Sequence, residues 1–308
     1  MTRAADAVAA RATPGAQPCL LADIGGTNAR FAWTDQHDAP PRDVQVLPVA
    51  AHADLAAAAR AYLLRLQGER SARGQPFAAV QQAVFAVAAS ITGDAVDFTN
   101  SAWSFSIAAL RQALGLQSLL VINDFEALAL ALPQLAASQQ HALGGPPPQP
   151  YAQAPRGTLL AVLGPGTGLG VGAVLRTGQG WQALPAEGGH VTLAAADALQ
   201  AEVIACVRRS HAHVSAERLL CGPGLPRLQA ALATVLGAPQ PGPLTPADIV
   251  AAAEQGDTLA GRTLDLFIAF LGGFAGNLAL TLGARGGVFI GGGLVPRFAK
   301  RLEAAGFR

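Results

Sequence analysis

The N-terminal part of the chain alternates short apolar segments with glycine and polar breaks. The segment from Leu20 to Trp33 is β-prone on both sides of Gly25-Gly26, and this pattern predicts a β-hairpin. A third strand is expected at residues 45–49. We therefore expect the ordered part of the chain to open with strands.

Helices and strands alternate after this opening. Asp54 and Ser106 are placed to cap two helices. A third helix is expected from Phe125 until Pro133 stops it. Strands first, then alternating helices and strands, predict a mixed sheet with helices on its faces. The two further strands are expected at residues 83–89 and 118–124.

The opening pattern recurs at residues 158–175, where two β-prone segments again flank a turn of glycine and threonine. This recurrence predicts a duplicated domain plan. We expect a disordered tail at residues 1–17, a small α/β domain at 18–134 and a large α/β domain at 135–308. In the large domain we expect three helices and then a strand, at residues 198–210, 246–255, 259–282 and 286–292.

The composition favours small-molecule chemistry in the cytoplasm. The 308 residues are 51% hydrophobic, but no run of about 18 apolar residues is evident that would span a bilayer. The formal net charge is +1, without a basic face for nucleic acid. Lys300 is the sole lysine, which excludes a P-loop lysine. Cys19, Cys206 and Cys221 are too few and too scattered for a disulfide framework or a zinc cage, which indicates reduced thiols.

Two glycine turns are the first candidates for ligand binding. The second contains Gly168-x-Gly170-x-x-Ala173, but a dinucleotide-binding fingerprint must open a helix, and the continuation here is β-prone. In a strand-turn-strand, glycine instead lets backbone N–H groups approach a phosphate. Two ordinary hairpins are the alternative. Asp23, beside the first turn, is placed to hold a magnesium ion together with phosphate oxygens.

Six short segments together resemble the bacterial glucokinase family in content and in order. The resemblance implies the hexokinase-like, actin-like ATPase fold, with two duplicated ribonuclease-H-like α/β domains, mixed sheets flanked by helices, and a cleft between the domains. Family members usually continue beyond the last segment, so a C-terminal closing segment is expected to be absent. The segments are DIGGTNAR (23–30), INDF (122–125), GPGTGLG (164–170), EGGH (187–190), SAER (215–218) and GGGLVPR (291–297).

The resemblance implies a glucokinase that uses ATP and Mg²⁺ and feeds glycolysis. Asp124 is implied as the general base that takes the proton of the glucose 6-hydroxyl. A selective hexose site needs carboxylate, amide and imidazole partners for the sugar hydroxyls. The implied sugar-binding residues are Asn123, Asp124, Glu187, His190 and Glu217, with Asn100 close by. The implied ATP- and phosphate-binding residues are Asp23 (also the magnesium ligand), Gly25, Gly26, Thr27, Asn28, Gly166, Thr167, Gly168, Gly292 and Gly293.

Plainer interpretations stay open beside this one. Taken alone, Asn123 can cap the following helix, His190 can be structural, and Glu217 can belong to a capping box. For the whole chain, one alternative is a kinase of the repressor-and-sugar-kinase family, whose usual cysteine-rich zinc motif these cysteines do not supply. The other is a catalytically inactive sugar-binding sensor or regulator. We expect glucose and ATP as partners, neither nucleic acid nor membrane, and leave a homodimer open.

Overall fold

The computed structural model describes residues 18–36, 39–98, 103–143 and 150–304, without the side chain of residue 152. By packing, the chain divides into two compact units, Met1–Asp124 and Phe125–Arg308. The sequence placed this boundary further along, after residue 134. The intervening helix groups with the second unit because Phe125 and Ala129 pack in one apolar cluster with strand residues of that unit. The predicted tail at residues 1–17 lies outside the described residues, and the predicted domain limits stay predictions.

The first unit contains a five-stranded mixed sheet and a small antiparallel sheet. Its strands are β1 (Cys19–Ile24), β2 (Asn28–Thr34), β3 (Arg42–Pro48), β4 (Gln82–Val87), β5 (Ile91–Thr92), β6 (Ala95–Asp97), β7 (Ser104–Ser106) and β8 (Ser118–Asn123). Its helices are α1 (Leu55–Ala72) and α2 (Ile107–Ala113), and Asp124 begins α3 (Asp124–Ala131). The larger sheet has the order β3-β2-β1-β4-β8, and the smaller has the order β5-β6-β7.

Local signals explain where the first unit's elements begin. The predicted caps are confirmed: the carboxylate of Asp54 accepts the N–H of Ala57 at 2.7 Å, and the Ser106 hydroxyl accepts that of Ala109 at 3.1 Å. The predicted hairpin is confirmed as β1 and β2, which pair antiparallel. Inward-facing residues of the sheet then pack on α1, where the ring of Tyr62 stacks on the ring of Phe31.

The second unit contains, besides most of α3, a four-stranded mixed sheet and six α-helices among its described residues. The strands are β9 (Leu159–Pro165), β10 (Leu169–Thr177), β11 (Gly180–Leu184) and β12 (Val288–Ile290). The helices are α4 (Ala198–Arg208), α5 (Ala216–Leu219), α6 (Gly224–Leu236), α7 (Pro246–Glu254), α8 (Thr258–Leu282) and α9 (Ala299–Ala304). The sheet has the order β11-β10-β9-β12, and the core is a cluster of leucine, valine and phenylalanine side chains centred on the two long helices α6 and α8, which contact each other.

The two mixed sheets share one local plan. In the first, β1 pairs antiparallel with its hairpin partner β2 and parallel with β4. In the second, β9 pairs antiparallel with its hairpin partner β10 and parallel with β12. Each sheet therefore places a glycine turn directly after the carboxyl end of its first strand. This agrees with the duplication that the sequence repeat predicts.

Helix α8 departs from the expectation that the chain has no segment apolar enough to span a bilayer. It is long and apolar enough to cross a membrane, with a mean hydropathy of 1.6 over its most apolar stretch. Half of that stretch is buried within the unit. The buried side chains of α8, among them Phe267 and Leu271, belong to the main core of the second unit. The apolar composition of α8 is therefore used in packing, as in the core helix of a globular protein.

Candidate active site

In the first unit, the predicted base and the first glycine turn follow neighbouring parallel strands. Ile24 at the end of β1 is in register with Val87 at the end of β4, and Val87 is in register with Asn123 at the end of β8. The turn at Gly25 and the carboxylate-bearing residue Asp124 thus follow the same edge of one sheet. Ligands of open α/β sheets bind at the carboxyl ends of the strands.

The first glycine turn is short and held by its own backbone. The N–H of Gly25 donates to the carbonyl of Asn28, and the carbonyl of Thr27 accepts the N–H of Val49, both at 2.9 Å. Asp23 lies one residue before the end of β1, and its carboxylate pairs with Arg30 at 2.6 Å. Both side chains are more than half exposed, at 54% and 56%. A pair this exposed is worth about 0–1 kcal/mol, so the carboxylate can exchange Arg30 for another cation at little cost.

Asn123 and Asp124 lie at the junction of β8 and α3. The side-chain amide of Asn123 donates to the carbonyl of Ala89 at 3.3 Å, which fixes the amide beside the segment after β4. Asp124 is half-buried and is the first residue of α3. The N-terminus of a helix carries a partial positive charge that favours an ionised carboxylate. An ionised Asp124 is the form that a general base requires.

The ring of Phe125 in helix α3 packs against strands β9 and β10 of the second unit. A Cβ added to Gly170 would collide with this ring, and a Cβ added to Gly164 would lie 2.7 Å from it. A Cβ on Gly172 would collide with the carbonyl oxygen of Phe125. Gly164 and Gly170 are paired across β9 and β10, and Gly172 shares a face of β10 with Gly170. These three residues, the glycine slot, leave room for the ring beside Asp124.

The second glycine turn, Gly166–Gly168, is braced by a neighbouring segment. The N–H of Gly166 donates to the carbonyl of Gly168 at 2.8 Å. The carbonyl of Gly166 accepts the N–H of Gly222, also at 2.8 Å. Where the turn enters β10, the N–H of Leu169 donates to Oε2 of Glu217 at 2.8 Å. The Glu217 carboxylate also lies so close to Gly168 that a Cβ there would collide with it.

A third glycine segment, Gly291–Gly293, lies against the same strand end. Gly292 has a φ of +85°, and a Cβ there would collide with the carbonyl oxygen of Pro165. That carbonyl accepts the N–H of Leu294 at 3.3 Å. Position 292 therefore requires glycine for both its backbone angle and its space. The structure places Gly292 beside the residue that precedes the second turn.

Two of the three predicted sugar-binding residues of the second unit, His190 and Glu217, line one cavity of about 250 Å³. The cavity adjoins the second turn through Thr167 and receives the side chains of His190 and Glu217. Glu187 lies next to it, with its Oε2 3.9 Å from Nε2 of His190. The full lining is Thr167, His190, Ser215, Glu217, Arg218, Cys221, Pro223 and Arg227.

Five of these lining residues carried no predicted role in the sequence: Ser215, Arg218, Cys221, Pro223 and Arg227. Burial raises the pKa of the Cys221 thiol, so the thiol lines the cavity in its neutral form. Arg227 donates to the carbonyl of Arg218 at 2.6 Å, which holds a positive charge at the cavity. Arg218 belongs to SAER, one of the six segments that carry the family resemblance, so the sequence could have indicated it. Nothing in the sequence pattern indicated Arg227.

Other expectations fall outside this cavity. Asn100 lies outside the described residues. A larger open cavity of about 710 Å³, lined in part by Tyr151, Arg156 and Arg285, contains none of the predicted site residues. Among the described residues, no three His, Cys, Asp or Glu side chains form a group that could hold a metal ion. Magnesium that is shared with phosphates and water needs only one or two carboxylates, so Asp23 still fits that role.

Comparison with known proteins decides the family. The family model described as Glucokinase matches residues 20–308. The chain belongs to the glucokinase family. The resemblance read from the six sequence segments is thereby confirmed, and the match covers the described residues of both units from Leu20 onward.

Relatives and a solved structure agree with this assignment. The glucokinase of Aromatoleum aromaticum is 44% identical over 294 residues, covering 94% of this chain and 84% of the relative. The glucokinase of Chromobacterium violaceum is 44% identical over 298 residues, covering 96% and 80%. A crystal structure of a glucokinase from an Antarctic psychrotroph is 38% identical, covers 94% of this chain and 87% of its own, and superposes with a TM-score of 0.81. The expected fold class, mixed sheets flanked by helices in the actin-like ATPase fold, is confirmed.

Proposed function

We propose that this glucokinase-family chain transfers the γ-phosphoryl group of ATP to the 6-hydroxyl of glucose. The observation that carries the proposal is the cavity in which Thr167 of a glycine turn lies beside His190 and Glu217. A phosphate-binding turn and hydroxyl-binding side chains in one cavity are what phosphoryl transfer to a sugar requires. The family match supports the same reaction.

In this proposal Asp124 is the general base. Its carboxylate accepts the proton of the 6-hydroxyl as that oxygen attacks the γ-phosphorus. The N-terminus of α3 favours the ionised form, and the ring of Phe125 in the glycine slot holds the start of the helix. A positioned base contributes about 10²–10⁴-fold in rate.

The remaining sugar hydroxyls are assigned to the predicted acceptor and donor side chains. Asn123 and Asn100 supply amides, Glu187 and Glu217 supply carboxylates, and His190 supplies an imidazole. Each hydroxyl both donates and accepts, so this mixture satisfies it, whereas an apolar pocket leaves it unpaired. Glucose is the proposed substrate, and its 6-hydroxyl is assigned to Asp124.

The ATP phosphates are assigned to backbone N–H groups rather than to lysine. The first turn consists of Gly25, Gly26, Thr27 and Asn28, and the second of Gly166, Thr167 and Gly168, with Gly292 and Gly293 assigned beside it. The N–H groups of Gly25 and Gly166 bond within their own turns, so these two glycines shape the turns, and the N–H groups of the other turn residues are assigned to phosphate. Such turns form anion-binding nests. Asp23 would hold Mg²⁺, which neutralises triphosphate charge when bound.

The setting of the reaction is proposed from its chemistry. ATP and reduced thiols belong to the cytoplasm, and glucose 6-phosphate feeds glycolysis, so we assign the protein to that compartment. Neither nucleic acid nor a membrane is assigned as a partner. A homodimer stays a prediction, which light scattering of the purified protein checks.

The test is an assay of the purified full chain with ATP, magnesium and one sugar at a time. Glucose, mannose, fructose and N-acetylglucosamine are compared through formation of the sugar 6-phosphate. We expect turnover with glucose, and a melting temperature that rises with glucose occupancy. If glucose binds without turnover, the chain is a sensor; if no sugar raises the melting temperature or reacts, the proposed substrate class is wrong.

A further inference from the structure

One carboxylate, that of Glu217, contacts both the sugar-side cavity and the second glycine turn. Its Oε2 accepts the N–H of Leu169 at 2.8 Å, and the same group lies against Gly168. The side chain also lines the cavity shared by Thr167 and His190. Glu217 is partly exposed, so it remains open to a ligand.

The exit of the second turn is held by the pairing of Leu169 in β10 with Pro165 in β9 and by one side chain, that of Glu217. At the start of the turn, the carbonyl of Gly166 accepts a hydrogen bond from the N–H of Gly222. Within the turn, the N–H of Gly166 donates a hydrogen bond to the carbonyl of Gly168. At the exit, the bond from Leu169 to Glu217 is charge-assisted, and such bonds are roughly twice as strong as neutral ones. The direction of the turn's N–H groups decides how well it binds a phosphate.

We propose that Glu217 is a positioning residue for the nucleotide phosphates as well as a sugar ligand, an inference that rests on the proposed function. Oε2 fixes the exit of the turn through Leu169, while Oε1 is available to a sugar hydroxyl. A carboxylate offers about four acceptor positions, enough for both bonds at once.

Two consequences follow for ligand binding. A sugar hydroxyl that bonds to Oε1 restrains the same side chain that holds the turn, so bound sugar is expected to raise the affinity for the nucleotide. By thermodynamic reciprocity, the nucleotide tightens the sugar by the same factor. Glu217 also acts on the nucleotide when no sugar is present, which separates this role from that of a simple sugar ligand.

The test measures the affinity of the full chain for the non-hydrolysable ATP analogue adenylyl imidodiphosphate, with magnesium and without sugar. Calorimetry compares the wild type with Glu217→Ala, Glu217→Gln and His190→Ala. Glu217→Ala is expected to weaken the nucleotide roughly tenfold, the scale of one lost hydrogen bond to a charged group. Glu217→Gln keeps an acceptor for Leu169 and is expected to stay within about threefold of the wild type. Within the part of the chain that the structure describes, the His190 side chain makes no hydrogen bond to the turn, so the nucleotide affinity of His190→Ala without sugar is expected to be unchanged.

Three outcomes would overturn the inference. They are an unchanged affinity in Glu217→Ala, an equal loss in His190→Ala, and no recovery in Glu217→Gln. If Glu217→Ala fails to fold, Gly168→Ala replaces it, because its Cβ displaces the same carboxylate; an unchanged affinity there also overturns the inference. A wild type that binds neither the nucleotide nor glucose refutes the proposed function itself, and is distinguished from the other results by the wild-type titration.

Discussion

Gly170→Ala tests whether the glycine slot is filled by the ring of Phe125. An alanine Cβ would collide with three carbon atoms of the ring. Overpacking of this kind costs typically about 1–3 kcal/mol. For a unit of this size, a loss of about 2 kcal/mol lowers the melting temperature by about 4–8 °C. Since Phe125 follows Asp124 directly in α3, we also expect kcat to fall, as the displaced ring moves the base.

A double-mutant cycle assigns the effect to the ring. Phe125→Ala alone is expected to cost about 2–3 kcal/mol, because the ring is only partly buried. In the double variant the ring is absent, so the alanine at position 170 fits. The loss of unfolding free energy in the double variant is therefore expected to be about 1–2 kcal/mol smaller than the sum of the losses in the two single variants. Gly273→Ala on an exposed face of α8 has open space around it, and is expected to be neutral or to stabilise by about 0.5–1 kcal/mol. Additive costs in urea denaturation would refute the proposed packing.

Three smaller predictions concern a cap, a thiol and a carboxyl. Asp54→Ala removes the cap of α1 and is expected to cost about 1 kcal/mol in thermal unfolding, with Asp54→Asn close to the wild type; equal stabilities of all three would contradict the cap. The Cys221 thiol is buried and its pKa is raised, so iodoacetamide is expected to modify it at pH 7 more slowly than it modifies the half-buried Cys206. Bound glucose is expected to slow the modification of Cys221 further. Peptide mass mapping measures both rates, and equal rates would contradict this prediction. The hydrogen bond from Thr245 lowers the pKa of Asp248, so its stabilisation is complete above a pH of about 4 and is lost as the pH falls through the lower folded-state pKa. The stability difference between wild type and Asp248→Asn is expected to shrink over that acid range, and a constant difference would contradict the linkage.

Local chemistry made the hairpins and the caps predictable. The glycine breaks mark both β1/β2 and β9/β10, and the side chains of Asp54 and Ser106 accept the N–H groups that the sequence pattern assigned to them. These features depend on residues a few positions apart. Neighbouring residues therefore carried enough information to locate them.

Three short strands and helix α6 were not predicted from the sequence. The strands β5, β6 and β7 have two or three residues each, which is too short for alternation to be visible. Helix α6 starts at Gly224 and has Pro226 in its first turn, where proline is tolerated but reads in sequence as a loop. A Cβ at Gly224 would lie 2.6 Å from the carbonyl carbon of Leu219, so tertiary packing determines the residue at the start of α6.

The site shows the same division. The resemblance to a family supplied Thr167, His190 and Glu217, and the structure brings them to one cavity. The bond between Glu217 and Leu169 joins residues 48 positions apart, and the glycine slot for Phe125 joins three separate segments. Contacts of this kind depend on how the sheet and helices pack, which spacing along the chain does not encode.

The measurement that tests the central claim most directly is the rate of glucose 6-phosphate formation by wild type and Asp124→Asn, with glucose binding followed by calorimetry on both. The amide keeps the size and polarity of the side chain but cannot take the proton. We predict that Asp124→Asn binds glucose within about tenfold of the wild type and loses about 10²–10⁴-fold in kcat. A variant that turns over at a near-normal rate would remove Asp124 from the mechanism and contradict the account.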